Sequence, residues 1–350
     1  MKETEYEKVY GDTFAGYGRS DMDEFIQPFI DRFKANGLNP KEIFEGKKCL
    51  DAGCGNGRGS IFMAMNGAKH VEGIDFSHKN VESTNSNAKI YGFDNIHAQQ
   101  STIETLPFTD EHFDFVWCNG VLMHTEHPNR NLEELSRVLK IDGQSWIYVY
   151  GTGGIYWYTI RCFREVMKKI SIDKVHKLLK MMRYSPRYIA EFIDDWYAVF
   201  LRAYTAQDFE SSLKGYGFDC SNRLMKGVDY DTCHRLVNAK TDVEKDMMGE
   251  GDLRYLLTKT SNPKPSPFQI AEGECGSEFT YPESITDIQE ELESFFASVS
   301  GDDWLLVSAC AHLQRELRLI MTENVEFDLP RYRELIQSLT RLGKDIKTLT

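Results

Sequence analysis

The sequence predicts an α/β fold in which a mostly parallel sheet carries helices on both faces. Short apolar runs rich in β-branched and aromatic residues alternate with stretches whose apolar residues recur at helical spacing. This alternation extends over residues 47–150, and strand–helix–strand units of such length place parallel strands in one sheet. Two helical additions are expected, an insertion after the fifth strand and a C-terminal extension.

The individual elements follow from local patterns. Residues 22–35 predict a short amphipathic helix with an internal proline. The five expected strands are GKKCLDAG, HVEGIDFS, NIHAQQS, FDFVWCNG and QSWIYVYG. The helices expected between them are GSIFMAMNGA, KNVESTNSNAKIYG and NRNLEELSRVLK, the last of which is stopped by the turn IDG.

The alternation breaks at residues 151–204, a helix-like stretch dense in aromatic residues, and then resumes. A helix TAQDFESSLKGYGF opens at a Thr205 cap, and the strands DCSNRLMKG and DLRYLLTK follow. A proline-containing linker then leads to helical stretches near 284–298, 302–322 and 331–346. We therefore expect an N-terminal helical lid at 1–40, a main domain at 41–260 with the insertion 151–204, and a linker with a helical extension at 261–350.

Composition limits the class of protein. The chain has 350 residues, of which 41% are hydrophobic and 27% charged, and no apolar run approaches the roughly 18–20 residues of a membrane span. The polar start MKETEYEKVYGD predicts no signal peptide, and the eight cysteines indicate neither a zinc site nor a disulfide framework. We expect a cytoplasmic protein without a metal. The formal charge of −13 disfavours nucleic acid as a general partner.

The stretch CLDAGCGNGRGS at residues 49–60 predicts a ligand-binding loop at the end of the first strand. It contains no Gly-Lys-Ser/Thr, so it is not a phosphate loop, and its glycines do not fit the dinucleotide spacing GxGxxG. The pattern that fits is Asp51-x-Gly53-x-Gly55-x-Gly57. The alternative interpretation is an ordinary glycine-rich turn between a strand and a helix.

This pattern resembles the first motif of class I S-adenosylmethionine-dependent methyltransferases, whose fold is Rossmann-like. The resemblance implies that the glycines admit the methionine portion of the cofactor, and that Asp51 holds its ammonium directly or through water. Asp75, which ends the second strand 24 residues later, would hold the ribose hydroxyls, with Phe76 beside it. The alternative role for Asp75 is a helix N-cap, although Ser77 is available for that role.

Two further stretches extend the resemblance. STIETLPFTDEHFDFV is similar to the family segment that contacts adenine, which implies contacts at Thr102 and Ile103; Thr102 stands where many relatives have an acid. CNGVLMHTEHPNRNLEELSRVLKIDG is similar to the fourth-strand loop of small-molecule methyltransferases, in which Asn119 and Gly120 would line the methionine and sulfonium region.

His124 is the candidate catalytic residue, because the fourth-strand loop should face the transferred methyl group and histidine is the usual general base. The family often has two adjacent histidines here, and this chain has Met123 in place of the first. The alternative is a histidine that orients the loop without taking a proton. In the N-terminal stretch, Tyr10, Tyr17 and Arg19 are candidate cofactor contacts.

The insertion has two interpretations. Its aromatic residues could form a substrate pocket or simply the core of the insertion; they are Tyr156, Trp157, Tyr158, Trp196, Tyr197 and Tyr204. Between Arg161 and Arg187, nine Lys/Arg stand against Glu165 and Asp173. This stretch is either the solvated face of an amphipathic helix or a surface for an anionic substrate or an acidic carrier protein.

Together the motifs indicate a methyltransferase that uses S-adenosylmethionine and acts on the oxygen or nitrogen of a small acceptor, with an anionic acceptor as one of the alternatives. The alternatives are a substrate bound to RNA or to a carrier protein, a non-catalytic binding protein with the cofactor fold, and, least favoured, a nicotinamide-dependent oxidoreductase. The motif Asn/Asp-Pro-Pro-aromatic and a Pro-Cys nucleophile are absent, which disfavours base methylation by those two routes. A homodimer contact through the C-terminal helices is one hypothesis for that region.

Overall fold

A seven-stranded sheet forms the centre of the fold in the computed structural model, which describes residues 6–15, 17–263, 281–323 and 327–349. The strands are β1 Lys48–Ala52, β2 His70–Asp75, β3 Ile96–Gln100, β4 Phe113–Asn119, β5 Leu139–Tyr150, β6 Phe218–Asp219 and β7 Asp252–Lys259. Their order in the sheet is β3-β2-β1-β4-β5-β7-β6. The first five strands pair in parallel, and β7 pairs antiparallel with both β5 and β6. The predicted Rossmann-like, parallel-rich sheet is confirmed.

The helices surround this sheet and also form a separate group. They are α1 Arg19–Ala35, α2 Pro40–Phe44, α3 Arg58–Met65, α4 His78–Tyr91, α5 Pro128–Val138, α6 Ile155–Met167, α7 Ile172–Met181, α8 Pro186–Tyr197, α9 Ala206–Gly215, α10 Thr232–Asn238, α11 Asp242–Met248, α12 Glu283–Thr286, α13 Gln289–Val299, α14 Asp303–Glu323 and α15 Leu329–Leu349. A π-helical turn, Glu7–Gly11, a three-residue helical turn, Asp12–Phe14, and a 3-10 turn, Leu122–His124, complete the set for the described residues. Among the described helices, none combines the length and apolar character that a bilayer span requires.

The chain divides into two units. The sheet unit comprises Met1–Gly151, Val199–Val228 and Asp252–Cys275, and it contains all seven strands. The helical unit comprises Thr152–Ala198, Asp229–Gly251 and Gly276–Thr350. The grouping of the insertion with the C-terminal helices was not predicted from the sequence, and most of the expected linker lies outside the described residues.

Two strand ends differ from the sequence prediction. DCSNRLMKG was expected to be a full strand, but β6 ends at Asp219, beyond which there is an isolated bridge from Arg223 to Tyr255. The Asp219 carboxylate accepts hydrogen bonds from the Ser221 N–H and hydroxyl at 3.0 Å, and such local bonds compete with the strand ladder. The expected turn IDG lies within β5, where Asp142 has φ +62°.

The core of the sheet unit is rich in aromatic side chains, which occupy the face of the sheet covered by α1 and α3. The Trp117 and Trp146 rings on neighbouring strands stack 4.8 Å apart, and Phe33 of α1 stacks on Trp146 at 5.2 Å. Burial of such large apolar surfaces is the main stabilising contribution in a core of this kind. It holds the strands in place, and thus the loops at their carboxyl ends.

Candidate functional site

The glycine loop follows β1 and turns back on the end of β2. The N–H groups of Gly53 and Cys54 both donate to the Ile74 carbonyl, at 2.7 and 3.0 Å. Gly53, Gly55 and Gly57 have φ of +79°, +55° and +87°, which is left-handed backbone that favours glycine. Backbone conformation therefore accounts for the alternation of glycines that the sequence shows.

The three glycines differ in what surrounds them. A Cβ on Gly53 would lie 2.5 Å from Cγ2 of Val121, and a Cβ on Gly57 would lie 3.1 Å from Cα of Thr84. A Cβ on Gly55 would meet no atom of the described residues within 4 Å, its chain neighbours aside. The outer glycines thus permit close packing, whereas the middle one borders open space that a ligand could occupy.

Asp51 lies beneath this loop. Its side chain is buried, and its Oδ2 accepts a hydrogen bond from the Ser60 hydroxyl at 2.7 Å. Burial raises the pKa of Asp51 to about 6, and the Ser60 hydrogen bond opposes that rise. A carboxylate held this way gains from an ammonium partner, because a nearby positive charge favours its ionised form.

Asp75 links the end of β2 to the loop. Its carboxylate accepts from the N–H of Gly55 at 2.9 Å, the N–H of Ser77 at 2.9 Å and the amide of Asn80 at 3.2 Å. Burial raises the pKa of Asp75, and these three hydrogen bonds oppose the rise. Because a carboxylate accepts about four hydrogen bonds, one position remains for a ligand hydroxyl. Ser77 is the N-cap of α4, as the sequence suggested.

Helix α4 holds the glycine loop through two polar side chains that sequence analysis missed. The Thr84 hydroxyl donates to the Gly55 carbonyl, and the Asn87 amide donates to the Asn56 carbonyl, both at 2.9 Å. Thr84 and Asn87 are buried and stand three residues apart, so they share one face of the helix. Polar residues at this spacing on a core-facing helix were the available signal.

The residues expected at the adenine lie at the ends of β2 and β3. The Phe76 ring is half-buried, and its backbone carbonyl accepts from the Gln100 amide at 2.9 Å. Ile103 is buried, whereas Thr102 is exposed. Asp75 pairs with Gln100 in register, so the segments that carry these residues leave the sheet side by side.

Asn119 and Gly120 lie where β4 ends. Asn119 Oδ1 accepts a hydrogen bond from the Trp146 indole at 2.9 Å, which fixes the orientation of the amide. Gly120 has φ +76°, and its N–H donates to the Tyr148 carbonyl at 3.1 Å. Both residues thus have rigid supports on β5.

His124 lies in the 3-10 turn that follows, and its side chain is 6% exposed. Its Nδ1 lies 2.9 Å from the Phe200 carbonyl oxygen, which can only accept, so Nδ1 donates. Its ring contacts the rings of Tyr10 at 5.7 Å and Tyr150 at 5.5 Å. Aromatic side chains therefore flank the histidine on two sides.

The N-terminal segment contributes to this aromatic group. The Tyr6 hydroxyl donates to the His124 carbonyl at 2.8 Å, and the Tyr6 ring packs edge-on against Phe76 at 5.3 Å. Of the three expected N-terminal contacts, only Tyr10 lies beside His124. The Tyr17 hydroxyl donates to the Thr13 carbonyl, and Arg19 lies over the ring of Tyr91. Tyr6 was missed, because a lone tyrosine in a polar segment carries no local signal.

Two aromatic residues of the insertion, Trp196 and Tyr197, are bonded within the helical unit, whereas Tyr204 belongs to the sheet unit. The Trp196 indole donates to Gln314 at 2.7 Å, and the Tyr197 hydroxyl donates to the carbonyls of Met167 and Ile170. For Trp196 and Tyr197, these contacts favour the interpretation as core of the insertion. In the described part of the chain, no three His, Cys, Asp or Glu side chains converge as a metal ion would require.

Comparison with known proteins agrees with this arrangement. Residues 43–183 match the family model described as a methyltransferase domain. A ubiquinone biosynthesis O-methyltransferase of Marinobacter nauticus is 33% identical over 124 residues, which is 34% of this chain and 50% of that protein. A tRNA U34 carboxymethyltransferase of Campylobacter hominis is 32% identical over 35% of this chain and 45% of its own length. A demethylmenaquinone methyltransferase of Clavibacter sepedonicus is 29% identical over 43% of this chain and 60% of its own length.

These matches agree with the class that the sequence motifs predicted: residues 43–183, which contain β1 to β5 and the glycine loop, are similar to a methyltransferase domain. The chain spans about half the length of the curated relatives it matches.

Proposed function

We propose that this protein transfers the methyl group of S-adenosylmethionine to an oxygen or nitrogen atom of a small acceptor. The observation that carries the proposal is the geometry around Gly55. The open space beside this glycine is bordered by Asp75, which has capacity for one more hydrogen bond, and the Asp51 carboxylate lies beneath the same loop.

The proposed cofactor contacts follow from the chemistry of each group. Asp51 would hold the ammonium and Asp75 a ribose hydroxyl, because a carboxylate binds both as an acceptor. The adenine would lie beside Phe76 and Ile103, with Thr102 offering its hydroxyl or backbone. Asn119 and Gly120 would line the methionine and sulfonium region, where the small residue permits close approach.

The cofactor, when bound, supplies a methyl group that is already activated by the positive sulfur. The remaining work of the protein is to align the acceptor atom with the methyl carbon and to exclude water. The contacts of Tyr6 and Tyr10 support the second role, because the Tyr10 ring packs against the His124 ring and the Tyr6 hydroxyl is bonded to the His124 carbonyl.

His124 is the proposed general base where the acceptor carries a proton. Its Nδ1–H is bonded to the Phe200 carbonyl, so the neutral ring has its lone pair on Nε2. In the proposed step, the acceptor proton moves to Nε2 while the acceptor oxygen or nitrogen forms its bond to carbon. Sulfur keeps the electron pair of the broken bond. An acceptor without a proton at this atom would leave His124 only the orienting role.

A second candidate is a substrate carried on RNA or on an acidic protein. It is supported by the exposed cations Lys177, Lys180 and Arg183 at the end of α7, in a chain whose formal charge is −13. One relative is named as a tRNA-modifying enzyme, whereas two are named for quinone pathways. The small acceptor is preferred, since the repulsion expected between this chain and a polyanion acts over its whole surface. A cytoplasmic location fits either candidate.

The first experiment is calorimetric titration with S-adenosylhomocysteine, with NAD and NADP as comparison ligands. We expect the wild type to bind S-adenosylhomocysteine tightly and Asp75→Ala to bind it at least tenfold more weakly. Ser77→Ala is the matched control, because it removes the N-cap of the same helix and keeps the carboxylate. Failure of the wild type to bind, or preference for a dinucleotide, would reject the proposal.

A further inference from the structure

Residues 200–204 run beside the turn that carries His124 and are bonded to it through the backbone. The Arg202 N–H donates to the Met123 carbonyl at 3.1 Å, and the Phe200 carbonyl accepts from His124 Nδ1 at 2.9 Å. At its far end, the Tyr204 N–H donates to the Tyr150 carbonyl at 2.9 Å. The segment is thus anchored to the end of β5 and reaches back to the histidine.

The Arg202 side chain adds a second attachment. It is fully buried, and its guanidinium donates to the Thr125 carbonyl and, at 3.2 Å, to the Glu126 carbonyl. The guanidinium also lies 4.7 Å from the centre of the Phe200 ring. A planar fork of donors suits two adjacent carbonyls, and a lysine ammonium cannot reproduce that geometry.

A fully buried cation is costly unless its charge is compensated, and here backbone carbonyls and an aromatic face compensate it. The contacts of Arg202 converge on the His124 turn. The guanidinium donates to the carbonyls of the two residues that follow His124, and it lies over the ring of Phe200, whose carbonyl accepts from His124.

The consequence for the histidine is a defined tautomer. A carbonyl can only accept, so the bond to Phe200 places the imidazole proton on Nδ1 and leaves Nε2 as the basic nitrogen. A third group that orients the base is a recurring part of proton-transfer sites, and here a backbone carbonyl takes that place.

We propose that Arg202 is a positioning residue, which holds the Phe200 carbonyl and the His124 turn together so that His124 presents Nε2 as its proton acceptor. The inference rests on the proposed function, in which His124 takes a proton from the acceptor. It adds a residue of the segment 200–204, at the end of the insertion, to the residues that position the proposed base.

The test is a measurement of the histidine tautomer in the full chain labelled with ¹⁵N-histidine. Long-range ¹H–¹⁵N spectra distinguish the two ring nitrogens, and the signal of His124 among the nine histidines is assigned by its loss in His124→Gln. In spectra recorded at a pH of about 8, we expect wild-type His124 as the Nδ1–H form, because its Nδ1 lies against the Phe200 carbonyl. In Arg202→Lys we expect a mixture of both tautomers.

Arg164→Lys is the matched control. Arg164 also donates to two backbone carbonyls, those of Asp195 at 3.1 Å and Ala198 at 2.7 Å, but in the helical unit. We expect a comparable loss of stability with no change in the His124 signal. If a simple anchoring role were correct, both variants would lower stability and neither would change the tautomer.

A second readout is recovery by added guanidinium ion. In Arg202→Ala we expect millimolar guanidinium to restore the Nδ1–H signal, while the same concentration of sodium has no effect. A wild type with the proton on Nε2, or an unaltered tautomer in Arg202→Lys, would overturn the inference even if Arg202→Ala does not fold.

The outcomes separate this inference from the proposed function, because the spectra need neither cofactor nor acceptor. Loss of the defined tautomer in Arg202→Lys, together with S-adenosylhomocysteine binding within about threefold of wild type, supports both. A defined tautomer that depends on Arg202 in a protein that does not bind S-adenosylhomocysteine would reject the function and keep the positioning role.

Discussion

At the scale of single residues, the properties of Asp51 depend on its burial. A pKa near 6 means that the carboxyl group becomes neutral as the pH falls below that value. An ammonium ligand binds the ionised form, so acidification should weaken binding of S-adenosylhomocysteine.

We expect the affinity to be nearly constant between about pH 7 and 8, and to fall by up to tenfold per unit below about pH 6. Calorimetric titrations across this range check the prediction. Asp51→Asn should bind weakly at every pH and show a much flatter profile. A wild-type profile as flat as that of Asp51→Asn would show that Asp51 does not hold the ammonium.

The role of His124 can also be tested at a single residue. Its ring either takes a proton as general base or only orients the loop. His124→Gln keeps a side chain of similar reach and removes the basic nitrogen. We expect it to bind S-adenosylhomocysteine within about threefold of wild type and to transfer methyl about 10²–10⁴-fold more slowly to an acceptor that must lose a proton. Radiolabelled transfer assays measure this rate, and an undiminished rate would leave only the orienting role.

At the scale of elements, two glycines of the glycine loop have different surroundings, and so we expect one to serve packing and the other ligand binding. Gly53 and Gly55 both have positive φ, but only Gly53 has a neighbour that an added methyl group would strike. In Gly53→Ala the side chain meets Val121, and in Gly55→Ala it enters the open space beside the loop.

We expect Gly53→Ala to be destabilised by about 2–4 kcal/mol, from the backbone strain together with the steric clash. Gly55→Ala should lose only about 1–2 kcal/mol from the strain and yet bind S-adenosylhomocysteine at least tenfold more weakly. Urea unfolding and calorimetry measure the two quantities. Equal destabilisation with equal loss of binding would mean that the open space beside Gly55 is not the cofactor site.

At the scale of the whole molecule, the two units have cores of different character. The sheet unit packs aromatic rings, whereas the helical unit buries a polar network around Asp195. The Asp195 carboxylate accepts from the Tyr156 hydroxyl at 2.6 Å and the Gln314 amide at 2.7 Å, and Arg318 lies 3.9 Å away. Burial raises the pKa of Asp195 to about 7, and the neighbouring Arg318 charge opposes that rise.

This shift predicts a dependence of stability on pH. The folded state binds the proton more tightly than the unfolded chain, so the contribution of Asp195 is fully present below the unfolded pKa of about 4 and is lost as the pH rises through about 7. We expect the helical unit to unfold more readily at pH 8 than at about pH 6. In Asp195→Asn, which resembles the protonated form, the free energy of unfolding should vary less over this range. Urea denaturation followed by tryptophan fluorescence tests both, and an equal pH dependence in the two proteins would contradict the assignment to Asp195.

Much of the sheet unit and its loop could be predicted because the signals are local. The alternation of apolar runs indicated β1 to β5, and Asp51, Asp75 and the three glycines lie at the strand ends that the motif implied. Thr205 caps its helix as expected. Such features depend on contacts between residues close in sequence, or on a backbone conformation that only glycine adopts readily.

The sequence by itself determined the class of fold and the position of the glycine loop, because strand periodicity, caps and left-handed glycines act within a few residues. Only the tertiary structure decided which distant groups meet there. Tyr6 reaches the His124 turn across 118 positions, and Arg202 reaches Thr125 across 77. It likewise joined the insertion to the C-terminal helices through Asp195 and Gln314. Contacts of this kind are set by how the elements pack, and a single sequence contains no periodic pattern that marks them.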